Sequence, residues 1–264
     1  MLLTLLFALF SLLLTLLSYF TLFPHILPLW LIPITIGVFL AFNLLHILFL
    51  VISSFFFGKK PPERYSRFVR AVLVVSVDWI LCVLRIRVRV KGKEKLPCEP
   101  FILVSNHRSA LDALVALKAF PRRELSFVSK ASVLRWPVVG PYMLKSGFLG
   151  IERDMPLQSL RVINRAAKLV KTGMSFGIFP EGTRTKNGRV GEFKEGAFLA
   201  AKKAEAPIVV VTTEGTEHAL HRLFSSVTVT VCAVIDKNTV RASTHTALSA
   251  DCRAIIRGAL GEED

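Results

Sequence analysis

The first 58 residues of the chain contain no Lys, Arg, Asp or Glu. Two apolar runs fill this region, at about 1–23 and about 29–57, and each exceeds the ~20 residues that a helix needs to cross a bilayer. Residues that favour a turn lie between or close to the two runs: Pro24, Pro28 and Pro33. The region therefore predicts a hydrophobic helical hairpin in the membrane, made either of two full spans, which the lengths favour, or of helices embedded in one leaflet.

The ends of these runs indicate how the chain is oriented at the membrane. The first run has neither the basic start nor the small-residue cleavage signal of a secretory peptide, so we expect it to be retained. Lys59 and Lys60 are the first charged side chains, and basic residues beside a membrane helix favour the cytoplasmic side. We therefore expect residues 59–264 to form a domain on the cytoplasmic face of a membrane.

Residues 59–264 carry a strong positive charge. The chain has 34 Lys and Arg against 19 Asp and Glu, a formal +15, and all of these side chains follow residue 58. Nucleic acid is one partner that such a charge could bind, but the basic residues are scattered and include no Arg-rich tract. An anionic membrane surface and phosphate-bearing substrates suit the charge better. Neither a zinc site nor a disulfide framework is expected from the wide spacing of Cys82, Cys98, Cys232 and Cys252.

A third apolar stretch, 67–84, contains Arg70 and Asp78, which would be costly in the middle of a membrane. We expect it to form an interfacial helix, or one packed on the globular domain, with Trp79 near the lipid headgroups. The alternating residues of 85–92 then predict a strand with one basic and one apolar face. That basic face is either a solvated sheet surface or a membrane contact.

The rest of the chain alternates between strand and helix patterns. Helices are predicted at 109–119, 157–172 and 193–204, and strands at 101–105, 125–129, 147–152, 175–179, 207–212 and 227–235. Such alternation predicts an α/β fold, in which a mixed, largely parallel sheet is flanked by helices in one domain. The acidic residues that end the chain are expected to be frayed.

The predicted strand 101–105 leads into a histidine and an aspartate five residues apart, His107 and Asp112. On a regular helix this spacing would separate the two side chains by about 140°. They can meet only if His107 lies in the strand-to-helix turn and Asp112 in the first helical turn, where Asn106 or Ser109 can cap the helix. A carboxylate that holds one ring nitrogen of a histidine leaves the other as a general base for an alcohol.

A second polar block, Phe-Pro-Glu-Gly-Thr-Arg-Thr at 179–185, follows the predicted strand 175–179. Arg184 offers planar, paired donors that suit a phosphate, and Gly182 lets the backbone approach a ligand closely. Between the two blocks, a glycine-punctuated apolar run ends on Arg153. Taken singly, these blocks also fit an ordinary turn and a strand with a charged end.

In this order and at these separations, the three blocks resemble the motifs of the 1-acylglycerol-3-phosphate acyltransferase family of glycerolipid synthesis. Residues 106–112 match its Asn-His-x4-Asp block, 147–153 match its Gly-x3-Ile-x-Arg block, and 179–184 match its Phe-Pro-Glu-Gly-Thr-Arg block without a mismatch. The fourth block of the family is an apolar strand with two prolines three residues apart. Here Pro207 is kept, whereas Val210 stands where the second proline is usual.

The resemblance implies an acyltransferase in which His107 and Asp112 are catalytic. It assigns binding of the phosphorylated acceptor to Arg153 and to the block at 179–184. Two lysines, Lys130 and Lys194, also match family positions, but less diagnostically. The predicted substrate-binding residues are therefore Lys130, Arg153, Glu181, Gly182, Thr183, Arg184 and Lys194. We expect Glu181 to orient Arg184 or to bind the glycerol, and backbone amides near Gly182 or on the strand of Pro207 to stabilise the oxyanion.

The reaction implied by the resemblance moves an acyl chain from acyl-CoA or acyl-carrier protein to the sn-2 hydroxyl of lysophosphatidic acid. Its product, phosphatidic acid, enters phospholipid synthesis, and neither a metal nor a cofactor is expected. Another lysophospholipid and glycerol 3-phosphate are alternative acceptors.

Two other functions fit parts of the sequence. The Gly-x-Ser-x-Gly pattern at 173–177 marks the nucleophile of some lipid hydrolases, with Ser175 as the nucleophile. That motif needs a strand before the serine and a helix after it, whereas the predicted order here is the reverse. A non-catalytic phospholipid-binding protein could use the same arginines, but binding alone does not require a paired histidine and aspartate.

Overall fold

The structure, a computed structural model, describes residues 1–22, 30–58, 65–152, 156–185 and 188–262. Its α-helices within these ranges are α1 (Leu2–Leu22), α2 (Leu31–Phe55), α3 (Arg67–Val83), α4 (Asp112–Ala119), α5 (Val139–Lys145), α6 (Pro156–Lys171), α7 (Leu199–Ala204), α8 (Lys237–Ala242) and α9 (His245–Ala259). Its strands are β1 (Ile86–Lys91), β2 (Ile102–Ser105), β3 (Leu125–Lys130), β4 (Leu149–Ile151), β5 (Ser175–Ile178), β6 (Ile208–Glu214) and β7 (Ser225–Ile235).

The strands form one sheet in the order β1-β7-β6-β2-β5-β3-β4. Five neighbouring pairs are parallel, and β6 and β7 form the antiparallel one. The strands from β6 to β4 therefore end at one edge of the sheet, and β1 and β7 begin at that same edge. The predicted fold, a mixed and largely parallel sheet, is confirmed.

Helices cover both faces of the sheet, so its central strands are buried on both sides. In β2, Leu103 packs into a core with α3 and α4, whereas Ile102 and Val104 pack into a second core with α6, α7 and α9. A strand enclosed in this way must be apolar at every position, which explains the continuous apolar run that predicted it.

The N-terminal region forms two helices, α1 and α2, that are long and apolar enough to cross a membrane. They pack side by side, with the rings of Phe7 and Phe42 stacked at 5.6 Å, and most of their other large apolar side chains are exposed. This exposure is consistent with membrane association. Pro33 lies in the first turn of α2, where its missing N–H costs no helical hydrogen bond, while Pro24 and Pro28 lie outside the described residues.

Helix α3 packs between the hairpin and the catalytic-motif helix α4 rather than lying free at an interface. Asp78 on α3 forms ion pairs with Lys118 of α4 and with the amino terminus of Met1. Trp79 was expected near the lipid headgroups. Its side chain is buried against α2, where its indole N–H donates to Asn43 Oδ1 at 2.8 Å.

Several elements differ from the sequence-based expectation. Helix α4 begins at Asp112 instead of residue 109, and α5, α8 and α9 were not predicted. The C-terminal end was expected to be frayed, but Glu262 is held in place. Its carboxylate accepts a hydrogen bond from the backbone N–H of Val190 at 2.9 Å. Strand β1 has the predicted alternation, with Arg87, Arg89 and Lys91 exposed.

The position of Ser175 contradicts the hydrolase alternative. This residue begins β5 instead of following it, and its buried hydroxyl accepts a hydrogen bond from the backbone N–H of Phe101 at 3.3 Å. Because β2 and β5 run in parallel, Ser175 lies at the edge of the sheet where these strands start, opposite to the edge where His107 follows β2. Ser175 is therefore a structural residue.

Gly177 offers a test of this packing, because a Cβ atom at this position would lie 2.1 Å from the ring of Phe127. We expect Gly177→Ala to lower the free energy of unfolding by about 1–3 kcal/mol, the usual cost of overpacking a core. The matched control is Gly258→Ala, where nothing lies within 4 Å of the added methyl group and the helix should gain stability. Chemical denaturation measures both, and equal stabilities of the two variants would contradict the described packing.

Candidate active site

The exit from β2 is held by Asn106, which is buried. Its side-chain amide donates to the backbone carbonyl of Thr213 at 2.9 Å, and its Oδ1 accepts from the N–H of the same residue at 2.8 Å. Asn106 thus extends the pairing of β2 with β6 by one residue through its side chain. The expectation that Asn106 caps α4 is wrong, because both polar atoms of its side chain are directed to β6.

His107 follows in the strand-to-helix turn, and Asp112 is the first residue of α4. His107 Nδ1 lies 2.8 Å from Asp112 Oδ2, so the two side chains meet in the arrangement that their spacing requires. The carboxylate is 1% exposed and the imidazole 17%, so part of the ring is accessible. Because Nδ1 faces Asp112, Nε2 is the ring nitrogen that the carboxylate does not hold.

The Asp112 carboxylate accepts four hydrogen bonds. Besides His107, its Oδ2 accepts from the backbone N–H groups of Arg108 at 2.7 Å and Ser109 at 2.8 Å, and its Oδ1 accepts from the hydroxyl of Thr216 at 2.6 Å. The carboxylate thus holds two N–H groups before α4, and the Ser109 hydroxyl accepts from the N–H of Leu111 at 3.3 Å, as expected of a capping residue. Four donors fit an ionised carboxylate, which only accepts hydrogen bonds.

This set of donors determines the state of the histidine. Because the ionised carboxylate has no proton to donate, the Nδ1 atom of His107 carries the hydrogen in the contact with Asp112. In the neutral ring, the lone pair is then on Nε2. The site therefore presents a base whose orientation is set by a buried anion.

Thr216 is a site residue that the sequence did not indicate. It is buried in the loop after β6, 104 residues from the carboxylate that it contacts. Only the topology brings it there, since β2 and β6 are parallel and end at the same edge of the sheet. A search for hydroxyl residues just after predicted strands could have included it.

A stack of aromatic rings supports the inner face of the imidazole. The His107 ring lies 4.3 Å from the ring of Phe179 at an interplanar angle of 16°, and Phe179 stacks in turn on Phe127 at 5.4 Å. The first residue of the 179–185 block thus contacts the catalytic-motif histidine directly. The ring is fixed by the stack on one face and by Asp112 at its edge.

Glu181 connects the two motifs through the backbone. Its Oε1 accepts from the N–H of His107 at 2.7 Å, and its Oε2 accepts from the Thr185 hydroxyl at 2.6 Å and the Gly191 N–H at 3.0 Å. The N–H of Thr185 also donates to the carbonyl of His107 at 2.8 Å. The expectation that Glu181 orients Arg184 is wrong for the described contacts, since its Oε1 holds the His107 backbone and its Oε2 holds Thr185 and Gly191.

The turn at Gly182 has a left-handed backbone, with φ +70°, and its N–H donates to the carbonyl of Phe179 at 3.0 Å. That amide is thus engaged within the turn and does not point to an oxyanion. The Lys194 side chain packs over Gly182, and an added Cβ atom would lie 3.3 Å from its Nζ. Lys194 therefore lies at the 179–185 block.

The other predicted binding residues occupy different positions. Thr183 and Arg184 are exposed on the 179–185 turn, and Lys130 is exposed at the end of β3. Arg153 lies outside the described residues. The structure thus brings His107, Asp112 and the residues of the turn together with Lys194.

Arg108 is a further residue that the sequence analysis missed. Its guanidinium contacts Glu217 Oε1 at 3.2 Å, the carbonyl of Gly188 at 3.0 Å and Glu262 Oε1 at 3.5 Å. These contacts join the turn after His107 to three distant segments, including the C-terminal one. Its place next to the histidine of the Asn-His-x4-Asp motif was the only available signal.

Replacing Glu181 tests the connection between the motifs. In Glu181→Gln one acceptor oxygen becomes an NH2 group that must face a donor, so we expect the free energy of unfolding to fall by about 1–3 kcal/mol. The control Glu205→Gln changes an exposed carboxylate and should leave stability unchanged. A denaturation midpoint of Glu181→Gln equal to that of the control would contradict the assignment.

Comparisons with known proteins agree with this site. A family profile described as Acyltransferase matches residues 87–214. The chain is 40% identical over 129 residues to the chloroplastic 1-acyl-sn-glycerol-3-phosphate acyltransferase BAT2 of Brassica napus, covering 48% of this chain and 37% of that protein. It is 34% identical over 160 residues to a probable 1-acyl-sn-glycerol-3-phosphate acyltransferase of Mycoplasma genitalium, covering 59% and 58%.

The matched region also extends to an animal protein and to a solved structure. The human 1-acyl-sn-glycerol-3-phosphate acyltransferase alpha is 33% identical over 135 residues, covering 48% of this chain and 45% of the human protein. The chain therefore spans about a third to three fifths of the length of these relatives. The crystal structure of the LPA acyltransferase PlsC of Thermotoga maritima has the same fold, with a TM-score of 0.63 and 24% identity, covering 81% of this chain and 86% of that one. The resemblance inferred from the motifs is thereby confirmed, and residues 87–214 are the part of this chain that is similar to the acyltransferase family.

Proposed function

We infer that this chain transfers an acyl group from an acyl thioester to the free sn-2 hydroxyl of 1-acylglycerol 3-phosphate, which yields phosphatidic acid. The observation that carries the inference is the 2.8 Å contact between His107 Nδ1 and Asp112 Oδ2, which leaves Nε2 as the ring nitrogen that the carboxylate does not hold. A positioned base of this kind suits the deprotonation of an alcohol. The printed names of the relatives support lysophosphatidic acid as the acceptor.

The proposed reaction begins with the acceptor hydroxyl next to His107. His107 Nε2 removes the hydroxyl proton while the oxygen attacks the carbonyl carbon of the thioester and forms the new C–O bond. The ring becomes positively charged, and the buried Asp112 carboxylate stabilises this charge at 2.8 Å. The C–S bond then breaks, and the leaving thiolate takes up the proton from Nε2. The transfer needs no nucleophile from the enzyme.

Basic residues around the 179–185 block suit the acceptor phosphate. Arg184 is exposed one residue from Thr185, whose N–H contacts the His107 carbonyl, so its guanidinium can reach a ligand near the base. Lys194 lies over Gly182 and adds a second positive charge. In the proposal, these residues bind the phosphate together with Arg153, while Thr183 and Lys130 contact the acceptor or the donor.

The acyl donor in this proposal is the thioester of acyl-CoA or acyl-carrier protein, and the reaction requires neither a metal nor a further cofactor. Residues 1–58 form the membrane anchor and residues 59–264 the catalytic domain, which lies on the cytoplasmic face. The acceptor is a membrane lipid, so an active domain fixed to the bilayer meets its substrate there.

An acyl-transfer assay with the purified protein tests the substrate class. With one thioester donor, we expect lysophosphatidic acid to be acylated in preference to lysophosphatidylcholine and glycerol 3-phosphate. A preference for either of these two would assign the same chemistry to a different acceptor. The release of free fatty acid without an acylated acceptor would contradict the proposed transfer.

His107→Ala tests the proposed base. Turnover should fall by ~10²–10⁴-fold, the usual contribution of a positioned general base, while donor binding is retained. His245→Ala is the control, because this partly exposed histidine on α9 pairs with Glu195 and not with the site. Steady-state kinetics measure both variants, and near-normal turnover in His107→Ala would contradict the proposed mechanism.

Arg184→Gln tests recognition of the phosphate. We expect the KM for lysophosphatidic acid to rise by roughly 10–100-fold, because a charge-assisted hydrogen bond to the phosphate is lost, with little change in the KM for the donor. Monoacylglycerol, which lacks the phosphate, should be used equally by variant and parent. Arg122→Gln removes an exposed charge at the opposite edge of the sheet and serves as the control. An unchanged KM for lysophosphatidic acid would show that Arg184 does not bind the acceptor phosphate.

A further inference from the structure

An exposed apolar surface lies at the edge of the sheet that carries His107. It consists of the end of α3 and the loop between β6 and β7, where five apolar side chains are exposed, and is called the rim patch below: Val83, Leu84, Leu220, Leu223 and Phe224. Its two halves are joined, since Arg85 O accepts from the N–H of Ser225 at 3.2 Å and the Arg85 guanidinium lies 5.2 Å from the centre of the Phe224 ring. Contiguous exposed apolar residues of this kind mark an interaction site.

The apolar hairpin extends beyond the same edge. Helices α2 and α3 are antiparallel, because His46 faces Ser76 and Asn43 faces Trp79. From that level α3 continues for only four residues to Val83, about 6 Å, whereas α2 continues for twelve residues to Leu31, about 18 Å. The exposed first turns of α2 therefore project about 12 Å past Val83, where the rim patch begins. A bilayer that surrounds these exposed turns of α2 would therefore have its surface at the level of the rim patch.

The charges around the rim patch also fit a bilayer surface. Arg222 lies within the loop beside His218 and His221, all exposed, and Arg85, Arg87 and Arg89 follow the end of α3. The acidic groups of the loop and of β6 are Glu217, which pairs with Arg108, and the exposed Glu214. Apolar residues flanked by arginines suit the boundary between acyl chains and anionic headgroups.

We propose that the rim patch inserts into the headgroup region of an anionic lipid bilayer and forms a second membrane contact in addition to the hairpin. The loop is held at both ends, since Ala219 is buried and its carbonyl accepts from the Ser225 hydroxyl at 3.1 Å. At its start, Thr216 bonds to Asp112 and Glu217 contacts Arg108. Insertion of the loop therefore sets the depth of the catalytic pair relative to the lipid surface, and this consequence rests on the proposed function.

Tryptophan quenching tests the contact without any assay of activity. Phe224 and Phe68 are matched, because both side chains are 71% exposed, but Phe68 lies on the first turn of α3, at the far edge of the sheet. Phe224→Trp and Phe68→Trp are each reconstituted, as the full chain, into phosphatidylglycerol-containing vesicles with brominated acyl chains. The parent, with its three tryptophans, gives the background. We expect the added fluorescence at position 224 to be reduced by roughly half or more, and that at position 68 to be unaffected.

Two outcomes would overturn the proposal. One is equal quenching at the two positions. The other is fluorescence at position 224 that is blue-shifted in lipid-free detergent solution and not quenched by brominated lipid, which would show that protein, such as a second copy of the chain, covers the patch.

A kinetic experiment tests the consequence for catalysis. In a Leu223→Ser/Phe224→Ser variant, we expect acylation of a long-chain acceptor in vesicles to fall by about tenfold, because the site sits at the wrong depth, whereas a short-chain acceptor in solution is used normally. Phe68→Ser should leave both reactions unchanged. Equal activity of the double variant and the parent on vesicles would contradict the role in catalysis. Quenching with no acyl transfer by the parent would instead refute the proposed function and leave the membrane contact in place.

Discussion

The site depends on one buried anion, the carboxylate of Asp112. A buried charge is stable only when its hydrogen-bonding capacity is satisfied. Here His107, two backbone N–H groups and the Thr216 hydroxyl supply four donors between 2.6 and 2.8 Å. The same contacts begin helix α4, select the ring nitrogen of His107 that carries hydrogen, and tie the strand exit of β2 to the loop after β6. Removing any donor would disturb both the local fold and the base.

The sheet explains how residues that are distant in sequence reach this carboxylate. Parallel strands β2, β5 and β6 end at one edge, which brings His107, the 179–185 block and Thr216 together. Glu181 then joins the first two by accepting from the His107 N–H at 2.7 Å, and Phe179 supports the ring from below at 4.3 Å. The rim patch lies at this edge and the hairpin extends beyond it. The fold can therefore present His107 to a lipid while the opposite edge of the sheet stays in water.

Local patterns predicted much of the fold and the central pair of the site. The sheet was predictable because its central strands β2 and β6 contain continuous apolar runs, and the His107–Asp112 contact because only one placement lets the two side chains meet. Helix α9 was missed although Leu248, Cys252 and Ile256 recur at helical spacing, whereas the seven residues of α5, with Gly140 and Pro141 among them, carry no such signal. Thr216, Arg108 and the true partners of Glu181 could not be predicted, because their contacts depend on which strands become neighbours. The roles of Arg184, Lys130 and Lys194 remain predictions, as does that of Arg153.

The central claim is that Asp112 holds His107 with hydrogen on Nδ1 and a free lone pair on Nε2. Nitrogen NMR of protein labelled at its six histidines, with His107 assigned by its loss in a His107→Gln variant, measures this directly. The account predicts that near neutral pH the neutral form of His107 carries its proton on Nδ1, and that Asp112→Asn changes this signal. A neutral His107 with the proton on Nε2 would contradict the account, because the accessible nitrogen could not then accept a proton from the acceptor hydroxyl.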